Sequence, residues 1–173
     1  NVVRSYKLRG AYTFFRESLA NHPERRNFVC ASAGNHAQGF AWCCSRLGVE
    51  GVVFMPVTTP GQKVSKTRGF GGPAVRVELT GDTFDECLAA ALAYTEEQGA
   101  AFVPPFDAPQ IIMGQATVAA EIVDSLGAPP DVLVVPVGGG GLSAGSTGYL
   151  EGSDAPTKIY YVEPKEAGSL HAA

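Results

Sequence analysis

The sequence predicts an α/β protein built on a mostly parallel sheet. Short apolar runs rich in β-branched residues recur along the chain, and stretches of helical periodicity separate them. One such run, VLVVPV at 132–137, passes through four consecutive glycines into a segment that can wind as a helix. Strands separated by helices need crossover connections, which make parallel neighbours and a sheet covered on both sides.

Taken in order, residues 8–19 suit a helix, and 28–31 form an apolar strand that runs into SAGNHAQG. From Asn35, a candidate N-cap, His36, Phe40, Cys43 and Leu47 recur at helical spacing, and Gly48 is placed to end the helix. Residues 51–55 are the next strand. Thr59-Pro60-Gly61-Gln62 reads as a capping box with proline at the first helical position, opening a helix to about Phe70. Residues 75–79 alternate as a strand, and Thr83 with Glu86 forms a second capping box ahead of Phe84, Leu88 and Leu92. After a short strand at 101–103, Ile112, Ala116, Ala119, Val123 and Leu126 make one helical stripe closed by Gly127. The run from Val132 reads as a strand buried on both faces. The last strand, 158–162, ends at Glu163-Pro164.

The glycine run is the strongest chemical signal. Strand, glycine loop and helix bring bare N–H groups and a helix N-terminus to one small volume, which favours an anion, with phosphate the first candidate. A tight turn with nothing bound needs one or two glycines; Gly138, Gly139, Gly140 and Gly141 strip every Cβ from the approach. Two ligands fit the loop. Gly139, Gly141 and Ala144 satisfy G-x-G-x-x-A, with Glu163 about 20 residues on, as in a dinucleotide site. That fingerprint usually opens the first βαβ unit, whereas here it follows four or five strands. A phosphate monoester is the other fit.

Composition narrows the partners. The chain of 173 residues carries a net charge of −4 and no basic cluster longer than Arg25-Arg26, so a small molecule is expected rather than nucleic acid or a membrane surface. Cys30, Cys43, Cys44 and Cys87 form no C-x-x-C pair and have no histidine at ligand spacing, so no metal site is expected. They read as buried thiols in a reducing, cytoplasmic compartment.

SYKLRGAY (5–12), CASAGNHAQGFA (30–41), FMPVTTPGQK (54–63), GDTFDE (81–86) and PVGGGGLSAG (136–145), in this order over nearly the whole chain, resemble threonine dehydratases of the type II pyridoxal-phosphate fold. That group also includes serine dehydratases and racemases. The resemblance implies a two-lobed, open parallel-sheet fold, with 1–22 and 105–173 in a larger cofactor-binding lobe and 23–104 in a smaller one. It implies that Lys7 forms the internal aldimine with pyridoxal 5′-phosphate, a role suited to a lysine desolvated between Tyr6 and Leu8. Asn35 would hydrogen-bond the 3′ oxygen of the cofactor ring, and Gly138 to Gly141 with Leu142 would hold its phosphate. Ser32, Ala33, Gly34, Asn35 and His36 would hold the substrate carboxylate through backbone N–H groups, the His36 side chain reading as structural more readily than catalytic. Glu163 resembles a residue near the cofactor ring.

The chemistry implied is loss of water from L-threonine, and from L-serine, by β-elimination, giving for threonine 2-oxobutanoate and ammonia on the way to isoleucine. Ala33 stands where serine racemases carry an acid–base serine, which implies elimination in preference to racemisation. The family's partner for the pyridine nitrogen lies beyond Ala173 and further structure precedes Lys7, so the chain is expected to be part of a catalytic domain, a homo-oligomer when complete.

Overall fold

The computed structural model describes residues 1–153 and 156–170. Its contacts divide the chain into two compact units, 1–105 and 106–173.

The first unit is a three-layer sandwich. Helix α1 (Lys7–Asn21) leads to β1 (Asn27–Ala31), α2 (Asn35–Leu47), β2 (Glu50–Met55), α3 (Gly61–Gly71), a 3₁₀ turn at 72–74, β3 (Val75–Leu79), α4 (Phe84–Gln98) and β4 (Ala101–Phe102). The strands form one parallel sheet in the order β3-β2-β1-β4. Alternation along β1 and β2 sends Val29, Ala31, Val52 and Phe54 to one face, where they pack with Cys87 and Ala91 of α4. Phe28 faces the other way, 4.4 Å between ring centroids from Phe15 of α1, which lies 5.4 Å from Phe40 of α2. Both faces of this sheet are covered, as expected.

The second unit holds α5 (Pro109–Leu126), β5 (Val132–Pro136), α6 (Gly141–Gly152) and β6 (Lys158–Val162). Strands β5 and β6 pair in parallel, Val132 opposite Lys158 through Pro136 opposite Val162. Helix α6 packs tightly on α5: a Cβ at Gly145 would lie 2.4 Å from Ile112 O and 2.7 Å from Ala116 N.

Local signals that depend on one or two residues fared unevenly. Thr83 accepts the Glu86 N–H while the Glu86 carboxylate accepts from the Thr83 N–H, so the second capping box forms. The box at 59–62 does not. Pro60 is itself the N-cap of α3, with ψ 134°, which puts Gln62 one position short of where a box needs it and leaves Thr59 Oγ1 buried with no hydrogen-bond partner. Asn35 is likewise not a cap: Gly34 takes that position and Asn35 is the first helical residue. In α5 the buried line is Ile111, Gly114, Gln115 and Ala119, one residue ahead of the expected stripe for most of its length, and Leu126 is 64% exposed. Strand β5 is not buried on both faces: Val135 is 4% exposed, but Val132 is 49% and Val134 60% exposed, because its sheet has two strands and apolar side chains on one face meet no covering layer.

Candidate functional site

Lys7 opens α1, its N–H donating to Ser5 Oγ at 3.2 Å. Gly39, in the second turn of α2, lets the two helices meet there: a Cβ at 39 would stand 3.1 Å from Leu8 Cα and 3.2 Å from Leu8 N. The Lys7 side chain is half-buried, its Nζ 5.5 Å from the centre of the Tyr6 ring and donating to Pro105 O at 2.6 Å. Burial holds its ammonium below the usual lysine range, favouring the free amine that nucleophilic chemistry requires. Lysine between Tyr6 and Leu8 is therefore desolvated as the sequence suggested, but its hydrogen-bond acceptor lies 98 residues away.

Residues 32–36 link β1 to α2. Ser32 N–H donates to Phe54 O at 3.1 Å and Gly34 N–H to Ser32 Oγ at 3.2 Å, so the loop is tied to the sheet and to itself. The helix begins without a side-chain cap, and a helix N-terminus left in that state offers N–H groups to an anion. The Asn35 side chain is exposed; His36, one residue on, is 3% exposed, with Nε2 3.0 Å from Val103 O. Burial pushes the His36 pKa down to about 4, opposed by the bond to Val103 and assisted by the nearby Lys7 charge. It is a neutral imidazole at neutral pH. Lys7 and the 32–36 loop thus share one neighbourhood.

In the second unit, Gly140 has φ 81° and serves as N-cap of α6, whose first turn is Gly141, Leu142 and Ser143. Ser143 Oγ donates to Gly140 O at 2.8 Å, and Ala144 N–H to the same oxygen at 2.9 Å. Phe106 backs the loop: a Cβ at Gly139 would lie 2.3 Å from its ring, and one at Gly141 2.9 Å from its carbonyl oxygen. Cβ atoms at Gly138 and Gly140 would meet nothing within 4 Å. A cavity of about 490 Å³ lies against Gly138, Gly139, Gly140, Val137, Phe106, Ser169 and Leu170. Glu163, after β6, accepts the Leu170 N–H at 2.6 Å.

All of residues 1–173 match the family described as pyridoxal-phosphate dependent enzyme. The chain belongs to this family. It is 46% identical over 168 residues to the L-threonine dehydratase biosynthetic IlvA of Bacillus subtilis, covering 97% of this chain and 40% of that protein. The processed form of threonine deaminase isoform 2 from Solanum lycopersicum superposes with a TM-score of 0.88 at 42% identity, over 97% of this chain and 45% of its own. A fungal L-serine ammonia-lyase from Rhizomucor miehei superposes with a TM-score of 0.89 at 26% identity, over 98% and 53%. The chain spans about 40% of the length of the curated threonine dehydratases it matches.

Each unit, taken by itself, has features that fit a part of the family's cofactor. A phosphate ester needs an approach free of side chains beside a helix N-terminus, as at Gly138, Gly140 and the uncapped start of α6; an aldehyde needs an amine held below its usual proton affinity, as Lys7 is. The G-x-G-x-x-A match lies on a strand–loop–helix segment, β5 to α6.

Pro105, Phe106 and Gly39 were missed from the sequence. They work through close approach to residues distant in the chain, and only the pair of prolines before Phe106 hinted at a specially shaped segment. Among the described residues, Gln115 Oε1 is a further buried polar atom with no hydrogen-bond partner.

Proposed function

We propose that the longer protein to which this chain contributes is a threonine ammonia-lyase. It eliminates water from L-threonine, and from L-serine; the enamine left by threonine takes up water and gives 2-oxobutanoate and ammonia, the first step toward isoleucine. Lys7 would carry the cofactor covalently, Asn35 would meet the 3′ oxygen of its ring, and Gly138, Gly139, Gly140, Gly141 and Leu142 would hold its phosphate. The N–H groups of 32–36 hold the substrate carboxylate. Bound pyridoxal phosphate supplies an electron sink for the α carbon. Lys7 Nζ, as a free amine, would take the α proton. Ala33 has no exchangeable proton to deliver to the α carbon, which supports elimination over racemisation.

The observation that carries this reading is the Lys7 amine, half-buried, depressed in proton affinity and held by Pro105 O. The 46% identity to a biosynthetic threonine dehydratase supports threonine as substrate. We infer further that 1–22 and 105–173 belong to the larger lobe of the whole protein and 23–104 to the smaller. The protein is a cytoplasmic homo-oligomer acting on a small amino acid, without a nucleic-acid or membrane partner. The net charge of −4 and four free, buried cysteines support a small-molecule partner and a reducing compartment.

Borohydride reduction with pyridoxal phosphate, followed by peptide mapping, tests the assignment. Label on Lys7, and its loss with turnover in Lys7→Ala, is the expected result. Nicotinamide-nucleotide binding with no label on Lys7, or wild-type turnover in Lys7→Ala, refutes it.

A further inference from the structure

The segment Val103-Pro104-Pro105 has an unusual hydrogen-bond economy. Val103 is fully buried, and its N–H extends the β4 pairing by donating to Val29 O at 2.8 Å. Beyond it, Pro104 and Pro105 have no N–H at all, so until Phe106 the backbone is held by what its carbonyls accept. Two side chains donate to those carbonyls: His36 Nε2 to Val103 O at 3.0 Å, and Lys7 Nζ to Pro105 O at 2.6 Å. The proline rings lock φ at both intervening residues, so the direction of the Pro105 carbonyl follows closely from how Val103 is held.

We propose that His36 is the positioning residue for the Lys7 amine: its Nε2–H holds the Val103 carbonyl, and the stiff Pro-Pro segment carries that constraint to the Pro105 carbonyl that receives Lys7 Nζ. The bond to a carbonyl requires the proton on Nε2, leaving Nδ1 bare in the neutral ring. Neutrality matters here, since a charged imidazole would repel the lysine beside it. His36 acts on the amine through two prolines, its ring being 3% exposed and bonded to Val103 O. The inference rests on the proposed covalent role of Lys7.

The test compares His36→Gln, His36→Asn and His36→Leu in the longer protein, reading the rate at which pyridoxal phosphate is trapped on Lys7 by borohydride. A glutamine amide reaches where imidazole Nε2 stands; an asparagine amide is equally polar but too short. The glutamine variant should label at a rate close to wild type, and the asparagine and leucine variants about tenfold more slowly, as expected when a reacting group loses its orientation. This rescue separates positioning from a general loss of packing, to which glutamine and asparagine are comparable insults. Glutamine as slow as asparagine, or all three at the wild-type rate, overturns the proposal. Should the asparagine and leucine variants fail to fold, Pro104→Ala with His36 intact loosens the same lever. It should also slow the trapping, and an unchanged rate there overturns the proposal equally. A wild-type protein that takes no label on Lys7 removes the covalent role itself, and the positioning role with it.

Discussion

Two glycines three residues apart on α6 should respond to alanine in opposite directions. At Gly148 a Cβ would meet nothing within 4 Å, so Gly148→Ala keeps only the gain in helix propensity, about 0.5 to 1 kcal/mol of stabilisation. At Gly145 the same gain is opposed by a Cβ 2.4 Å from Ile112 O and 2.7 Å from Ala116 N. Both are backbone atoms of α5, which no rotamer change can move aside. The helices must separate by a sizeable fraction of an ångström, and overpacking of this kind costs about 1 to 3 kcal/mol. A gap of about 2 kcal/mol between the two variants follows, measurable as a difference in urea midpoint at unchanged slope. Because Gly141 at the head of the same helix packs on Phe106 O, displacement of α6 should also weaken pyridoxal-phosphate binding in Gly145→Ala and leave it intact in Gly148→Ala. Equal stability of the two variants would refute the close-approach argument.

Acid stability should report His36. Its pKa is about 4 in the folded protein against an ordinary 6.5, so the unfolded chain binds the proton more readily, and stability is complete above pH 6.5 and falls as pH drops toward 4, by about 3 kcal/mol in all. His36→Gln should lose that part of the pH dependence; identical slopes for the two proteins between pH 6.5 and 4.5 would contradict it. Thr83→Ala should cost about 1 kcal/mol by removing the hydroxyl that caps α4, read by thermal unfolding. Glu86 accepts from the Asp82 and Thr83 N–H groups, which hold its carboxyl below the usual range. Its contribution is therefore present above the ordinary carboxylate pKa and fades as pH falls through the lowered one, a dependence that Glu86→Gln should abolish.

The sequence alone determined the alternation of strands and helices, the left-handed glycines that end α2 and α5 at Gly48 and Gly127, the capping box of α4, and the strand–glycine loop–helix layout from β5 to α6. These are local: each depends on residues within a few positions, where backbone sterics and side-chain reach set the outcome. Signals that turn on a single position were weaker, as Pro60 displacing the expected cap of α3 and Gly34 that of α2 demonstrate. Burial was legible where a full layer packs on both sides, in β1 and β2, and misread in β5, whose valines carry the pattern of an interior strand while one face is exposed. The motif match singled out Lys7 as a cofactor-bearing amine, but what holds that amine was decided by tertiary structure. Gly39 admits the first turn of α1 against α2, and β4 brings Pro105 O to Lys7 Nζ across 98 residues of chain. No local pattern encodes such a contact, because its energy comes from desolvation and close approach between segments that only the folded sheet makes neighbours.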